Sequence, residues 1–230
     1  MPQIKDLGDG HYEIAGHTFY APTRAAAEGL GQHITSLVRV EANARRNGTV
    51  TPQQVQRVRN LLSQEEGLLR KPTPVQGNLT LGIGRDLATR GLSPEEKALL
   101  HYDTRNWDAE PLTDAEATAL FMPDVQQAIN DARELAGKDH FESMDEARQA
   151  AVTSLVFQMG KGGLAKFPKF LDAFRKGDYE TASRELLFKD ASRPNPQPSE
   201  LSTQTPNRTK RVADSVQSGE WPATLPGGGL

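Results

Sequence analysis

The residues best suited to chemistry lie in the stretch EGLLRKPTPVQGNLTLGIGRDL, at positions 66–87. Glu66 precedes a glycine-rich turn at residues 80–84. This order fits the carboxylic acid of a glycosidase followed by a turn that contacts a sugar. Glycoside hydrolysis usually uses two carboxylates. Acidic residues are absent between Glu66 and Thr80, and the next acid along the chain is Asp86. The sequence therefore offers one acid before the turn and a second only beyond it.

The bulk composition is that of a globular protein. The chain has 230 residues, of which 36% are hydrophobic and 25% charged. It contains no cysteine, which excludes a disulfide framework, a thiol nucleophile and a cysteine metal site. The net charge of −3 argues against non-specific nucleic-acid binding, which depends on a cationic face. No secretory signal and no apolar run of membrane-spanning length is present, so we expect cytoplasmic synthesis and no membrane insertion.

The sequence motifs of nucleotide-binding and metal-binding sites are incomplete in this chain. The glycines of residues 82–84 are not followed by a third glycine of a dinucleotide fingerprint, because that position is Leu87. Residues 160–161 are followed by Gly162, where a P-loop requires Ser or Thr. The five histidines show no metal-ligand spacing. We therefore expect no metal and no organic cofactor.

The elements that must hold Glu66 and the turn can be predicted from local patterns. Alternation in residues 11–21 predicts a hairpin, and residues 23–46 predict a helix. A capping pattern at residues 51–54 begins a second helix, which should carry Glu66 near its C-terminal end. Short β-like runs among the prolines and glycines of residues 72–92 predict a small sheet.

The rest of the chain has the pattern of a helical protein. Helix starts are predicted at Ser93-Pro94-Glu95-Glu96, at Thr113-Asp114-Ala115-Glu116, at Ser143-Met144-Asp145-Glu146 and at Thr205-Pro206. Two shorter helices are expected near residues 167–176 and 178–189. Residues 190–204 are rich in Pro and Ser, which predicts a loop, and the glycine-rich C-terminus at residues 223–230 predicts a flexible tail.

Four blocks of sequence stand out between about residue 60 and residue 222. The blocks are residues 66–68 with 80–84, residues 112–117 with 120–121 and 124–125, residues 148–151 with 156–160, and residues 204–208 with 210–212. These blocks resemble those of the T-even phage lysozymes, glycoside hydrolase family 24, in the same order and with similar spacing. The resemblance implies an α+β, mainly helical, lysozyme-like fold with two lobes: a small β-containing lobe, a long connecting helix near residues 113–137 and a larger helical lobe. We expect residues 51–222 to form this catalytic domain and residues 1–50 an N-terminal extension.

The resemblance implies a muramidase that cleaves the β-1,4 bond between N-acetylmuramic acid and N-acetylglucosamine in peptidoglycan. Glu66 matches the general acid, which requires a raised pKa. Arg208 matches an arginine that orients this acid, and Thr80 matches a threonine that positions the attacking water. Substrate contacts are expected from Gly84, Phe157, Gln158, Thr205 and Arg208.

One position departs from the family pattern. Where the family has an Asp between its glutamate and its threonine, this chain has Pro74. Three explanations stay open: Asp86 supplies the second carboxylate, Thr80 and nearby polar groups hold the water alone, or the site is inactive and only binds glycan. Asp86 could also simply pair locally or cap a turn.

A structural ion pair and several biological settings are also implied. Arg85 stands where the family has a histidine that pairs with an acid matching Asp124, which predicts an Arg85–Asp124 salt bridge. The alternative functions are a non-catalytic peptidoglycan-binding homologue that serves as a virion or effector component, and a glycosidase of another β-linked glycan. We expect a monomer that reaches the periplasm or cell wall through a holin, a virion or injection. Residues 1–50 are candidates for docking to an immunity, secretion or virion partner.

Overall fold

The computed structural model describes residues 4–8, 11–14, 17–20, 58, 61–62, 67–75 and 77–221. These residues form six strands in two antiparallel sheets and eight helices, which confirms the expected α+β, mainly helical class. The chain divides into two compact units, residues 1–52 with 66–123, and residues 53–65 with 124–230. Glu66 and the helix expected at residues 23–46 lie outside the described residues. No described helix is long and apolar enough to cross a membrane.

The first sheet confirms the predicted N-terminal hairpin and adds a strand. Strands β2 (His11–Ile14) and β3 (His17–Tyr20) pair antiparallel. Strand β1 (Ile4–Gly8) pairs with the other edge of β2, which the sequence pattern did not reveal. The four exposed residues among the five of β1 explain this, because a strand without a buried alternating face carries little periodic signal.

The second sheet is the small sheet predicted from residues 72–92. It consists of β4 (Leu69–Val75), β5 (Asn78–Gly82) and β6 (Arg85–Asp86), in that spatial order. Leu81 of β5 is fully buried and belongs to the core of the first unit. The other buried members of that core are Leu100, Leu112, Ala117 and Leu120. The sheet is therefore anchored on one face and open to polar residues on the other.

Helix α1 (Pro94–Leu100) begins at the predicted capping box. The Ser93 hydroxyl accepts the Glu96 N–H, while the Glu96 carboxylate accepts the Ser93 N–H. The same carboxylate pairs with Arg85, whose side chain is 3% exposed. The N-terminus of α1 is thus fixed to β6 as well as capped.

Helix α2 (Asp114–Ala136) also begins with a capping box whose glutamate pairs with an arginine. Thr113 and Glu116 form its capping box, as predicted, and Arg105 donates to both Glu116 carboxylate oxygens at 2.7 and 3.1 Å. Arg105 also donates to three backbone carbonyls in the same region. In the first unit, each capping-box glutamate therefore has a buried arginine as its counter-charge.

The second unit is helical among its described residues. Its elements after α2 are α3 (Lys138–Ser143), α4 (Glu146–Leu164), α5 (Pro168–Arg175), α6 (Tyr179–Leu187), α7 (Glu200–Gln204) and α8 (Pro206–Ser218). Helix α8 packs against α4 and α6, and α5 packs against α6. Phe170, Phe174, Leu155 and Val216 are fully buried in this unit. Val58, Leu61 and Leu62 are helical, in agreement with the second predicted helix.

Two local predictions in this unit are wrong. The start of α4 is capped by Asp145, which accepts the Arg148 N–H, and not by Ser143. The Ser143 hydroxyl instead donates to the His140 carbonyl at the end of α3. The loop expected to extend to residue 204 ends earlier, because Ser199 caps the short helix α7 by accepting the Ser202 N–H.

Candidate active site

The register of the second sheet brings Thr80 and Asp86 together. Thr80 on β5 is the direct partner of Asp86 on β6 and of Thr73 on β4. Directly paired residues in a sheet project their side chains to the same face, and the next residue along each strand projects its side chain to the opposite face. The opposite face at this level carries Leu81 and Arg85, which are 0% and 4% exposed. Thr73, Thr80 and Asp86 therefore form a row on the polar face, across all three strands.

Thr73 is the residue of this row that the sequence did not single out. Pro74, which matches the family Asp in sequence, pairs with Leu79 and belongs to the other face of the sheet. Thr73, which carries a hydroxyl group, therefore lies directly across from Thr80, and Pro74 does not. The Thr73 hydroxyl donates to the Lys71 carbonyl at 2.8 Å, and its oxygen can still accept a hydrogen bond.

The Asp86 carboxylate is held by hydrogen bonds at both oxygens. Oδ1 accepts the N–H groups of Ala88 at 2.7 Å and Thr89 at 3.2 Å, and Oδ2 accepts the Asn78 side-chain amide at 2.6 Å. Partial burial acts to raise the pKa of Asp86, but the hydrogen bonds from Ala88, Thr89 and Asn78 together hold the pKa below its usual value. Asp86 caps the following turn, as one of the readings proposed, and it is an ionised carboxylate at neutral pH.

The glycines of the turn make the Thr80–Asp86 pairing possible. Gly82 and Gly84 have φ angles of 65° and 67°, in the left-handed region that side chains with a Cβ rarely adopt. Gly82 is buried, and a Cβ built on it would lie 3.7 Å from a Leu120 methyl carbon. Gly84 is exposed, which leaves its backbone accessible beside Asp86.

Arg85 fixes the position of the short strand β6 from its buried side. Nη1 donates to both Glu96 carboxylate oxygens at 3.1 Å, and Nη2 donates to the Leu120 carbonyl at 2.6 Å. The sequence did not reveal Glu96 as the partner of Arg85, because this contact depends on how α1 packs beside β6. The expected Arg85–Asp124 pair would join residues of the two compact units, and it stays a prediction.

In the second unit, the structure brings Gln158 and Thr205 together. Gln158 Nε2 donates to the Thr205 hydroxyl at 3.0 Å, and Thr205 Oγ1 lies 3.2 Å from Thr209 Oγ1. The amide of Gln158 thus has a partner within the protein, where the sequence suggested a sugar. Thr205 is also the residue before α8, so the Gln158 contact fixes the start of that helix.

Arg208 and Phe157 flank this contact in sequence. Arg208 lies in the first turn of α8, and Nη2 approaches the Ser154 carbonyl and hydroxyl at 3.5 and 3.4 Å. Phe157 is half-buried on α4, three residues before Gly160, where the helix is interrupted at φ 73°. Glu66, to which the sequence assigns the acid, lies outside the described residues.

Comparison with known proteins identifies the family. The family model described as phage lysozyme matches residues 63–195, more than half of the chain. The chain belongs to the phage lysozyme family. Membership in this family supports the assignment of the chain as a lysozyme-like glycosidase. The matched range contains Glu66, Thr80 and Asp86, whereas Thr205 and Arg208 lie beyond it.

Individual proteins are also similar to this chain. The probable T4-type lysozyme 2 of Dictyostelium discoideum is 28% identical over 174 residues, covering 72% of this chain and 96% of that protein. The probable T4-type lysozyme 1 of the same organism is 28% identical over 177 residues, with the same coverage. The pre-baseplate central spike protein Gp5 of Enterobacteria phage T4 is 32% identical over 131 residues, covering 53% of this chain but only 22% of the spike protein.

Proposed function

We propose that this protein is a muramidase that hydrolyses the β-1,4 bond between N-acetylmuramic acid and N-acetylglucosamine in peptidoglycan. The observation that carries the proposal is the pairing of Thr80 with Asp86 on the polar face of the sheet. Family membership supplies the reaction class. The pairing supports this proposal because it brings a carboxylate beside Thr80, the proposed water-positioning residue, in a chain that has Pro74 in place of the family's Asp.

The two carboxylates take complementary roles in this proposal. Glu66 donates a proton to the glycosidic oxygen as the bond to the leaving sugar breaks. Burial acts to raise the pKa of Asp86, but the surrounding hydrogen bonds hold it below its usual value. Asp86 is therefore ionised and serves as the second carboxylate. Thr80 orients the attacking water next to it. The separation of the two carboxyl groups decides the stereochemistry, since inverting enzymes have about 6.5–9.5 Å and retaining enzymes about 5–5.5 Å between them.

Substrate contacts are proposed for Gly84 on the sheet and for the second-unit residues Phe157, Gln158, Thr205 and Arg208. The exposed backbone of Gly84 offers hydrogen bonds to sugar hydroxyls beside the reacting bond. The Gln158–Thr205 hydrogen bond presents an amide and a hydroxyl together, which suits the acetamido and hydroxyl groups of the glycan. Catalysis is assigned to residues 51–222.

A second candidate function is a virion component that binds the cell wall. It is favoured by the similarity to the central spike protein of a phage baseplate. In that setting residues 1–50 would dock to a virion partner, and the lysozyme-like part would bind peptidoglycan without cleaving it.

One experiment separates these functions. Purified sacculi are incubated with the wild-type chain, Glu66→Gln and Asp86→Asn, and soluble products are analysed by mass spectrometry. A muramidase releases fragments with a reducing N-acetylmuramic acid end, and both substitutions suppress their release. Binding of the wild-type chain to sacculi without any released fragment would refute the enzymatic proposal and favour the virion component.

A further inference from the structure

The Asp86 carboxylate is clamped from two sides by different parts of the chain. The turn after β6 contributes two N–H groups to Oδ1, from Ala88 and Thr89. Oδ2 is held from β5, where Asn78 Nδ2 approaches to 2.6 Å. Two hydrogen-bonded oxygens on separate segments fix the plane of a carboxylate, which a single contact would leave free to rotate.

Asn78 is placed for this contact by the same register that places Thr80. It lies two residues before Thr80 on β5, so both side chains belong to the polar face of the sheet. An asparagine beside a hairpin turn commonly bonds its own backbone. Here Gly77, with φ 90°, takes the left-handed position of the turn, and the Asn78 amide reaches across to Asp86.

We propose that Asn78 is a positioning residue that holds the ionised Asp86 carboxylate in its reactive orientation. This inference rests on the proposed role of Asp86 as the second carboxylate. Asn78 acts through Asp86 and not on the glycan itself. The amide can donate to a carboxylate but gains less from a neutral carboxylic acid, so it favours the charged form that the reaction uses.

Burial and the neighbouring hydrogen-bond donors shift the pKa of Asp86 in opposite directions. Burial raises its pKa, and the N–H groups of Ala88 and Thr89, the Asn78 amide and the Thr89 hydroxyl lower it. The adjacent cation Arg85 belongs to the opposite face, where it pairs with Glu96. Removing Asn78 therefore leaves the turn contacts in place and raises the pKa of Asp86 toward its usual value.

The test compares kinetics of Asn78→Ala, Asn78→Asp and Asn78→Gln in the full chain, with soluble glycan strands prepared from peptidoglycan as the substrate. Asn78→Ala should lower kcat about tenfold, the low end of the strength of a charge-assisted hydrogen bond, with little change in KM. Its acidic limb of activity should move to higher pH. Asn78→Asp, of the same shape but unable to donate when ionised, should shift that limb further, while Asn78→Gln should restore part of kcat. The control Asn130→Ala breaks an exposed amide hydrogen bond to Gln126 and should leave both readouts unchanged.

The outcomes distinguish this inference from the function on which it rests. If the wild-type chain is inactive, or if Asp86→Asn leaves an active chain unimpaired, the proposed role of Asp86 is refuted and the positioning role with it. If Asp86→Asn removes activity while Asn78→Ala and Asn78→Asp keep the wild-type kcat and acidic limb, only the positioning role is refuted. Circular dichroism of each variant establishes that the chain is folded before its kinetics are compared.

Discussion

Thr80 and Asp86 are direct partners across the β5–β6 ladder, with Thr80 half-buried and Asp86 hydrogen-bonded at both carboxylate oxygens. Their side chains project to the same face because side chains alternate along each strand. The glycine-rich turn between them contains two residues with positive φ and returns the chain within a few residues. A carboxylate after the turn can therefore act beside a threonine before it.

This relationship predicts coupled losses of activity for Thr80→Val and Asp86→Asn. Asp86→Asn should lower kcat about 10²–10⁴-fold, the usual contribution of a positioned acid or base. Thr80→Val should lower it by a smaller factor, because one hydroxyl contact to the water is lost. If both side chains act on the same water, the double variant should be little worse than Asp86→Asn. Initial rates of fragment release measure all three.

The matched control for this pair is Leu79→Ala. Leu79 neighbours Thr80 on β5 but belongs to the other face of the sheet and is 39% exposed. Its truncation should leave kcat unchanged. Fully multiplicative losses in the Thr80/Asp86 double variant would show that the two side chains act independently and would contradict a shared water.

Thr73 provides a second prediction from the same row. Thr73→Val keeps the β-branched shape that suits a strand and removes only the hydroxyl opposite Thr80. If that hydroxyl contacts the water or the sugar, kcat/KM should fall about three- to tenfold, the worth of one neutral hydrogen bond. Thr104→Val is the control, because its hydroxyl also donates to a nearby backbone carbonyl but lies in the exposed turn after α1. Equal activity of both variants would exclude Thr73 from the site.

Much of the fold was predictable because its signals are local. The hairpin at β2 and β3, the sheet near residues 72–92 and the capping boxes at Ser93 and Thr113 depend on contacts within a few residues. The start of α4 was misplaced because Ser143 and Asp145 both fit a cap, and the choice depended on the end of α3. A pattern shared by two candidates cannot be resolved without the neighbouring helix.

The sequence singled out Thr80 and Asp86 as site candidates, but it did not reveal the neighbours that strand register and tertiary packing give them. The position of Thr73 opposite Thr80 depends on strand register, which has an irregularity between Leu69 and Thr73. Glu96 could not be assigned to Arg85, since that contact depends on how α1 packs beside β6. Long-range pairs of this kind are decided by tertiary packing and leave no periodic trace in the sequence.

The Arg85–Glu96 pair leads to a prediction about stability. The two side chains are 3% and 10% exposed, so Glu96→Ala removes a counter-charge from a buried guanidinium and also removes the capping box of α1. We expect the free energy of unfolding to fall by about 3–5 kcal/mol, the usual cost of breaking a buried pair. Glu96→Gln keeps the acceptor for Ser93 and should cost less. Urea denaturation at neutral pH measures both values.

The control for the buried pair is the exposed pair Lys176–Asp172. Its side chains are 69% and 66% exposed and lie at i and i+4 positions. Asp172→Ala should lower the free energy of unfolding by about 0.3–0.5 kcal/mol through the loss of that pair. A similar loss for Glu96→Ala would show that Arg85 is stabilised mainly by its other contacts, such as the Leu120 carbonyl.

The hydrogen bonds around Asp190 lead to a prediction about how the free energy of unfolding changes in acid. Its carboxylate accepts hydrogen bonds from Ser192 at 2.6 Å and Arg193 at 3.0 Å, with Lys169 nearby at 3.4 Å. The Ser192 and Arg193 hydrogen bonds hold the pKa of Asp190 well below its usual value, against a smaller opposing effect of burial and with further help from Lys169. Because the folded pKa is depressed, the stabilisation is complete above the unfolded value of about 4 and is lost as the pH falls below it.

The measurement is the free energy of unfolding as a function of pH for the wild type and Asp190→Asn. Asp190→Asn retains a polar side chain that cannot titrate, so its stability should fall less steeply than that of the wild type below about pH 4. The control Thr104→Val, in the exposed turn after α1, removes no titratable group and should keep the wild-type slope. Parallel curves for Asp190→Asn and the wild type would show that the hydrogen bonds around Asp190 do not contribute to the acid sensitivity of the fold.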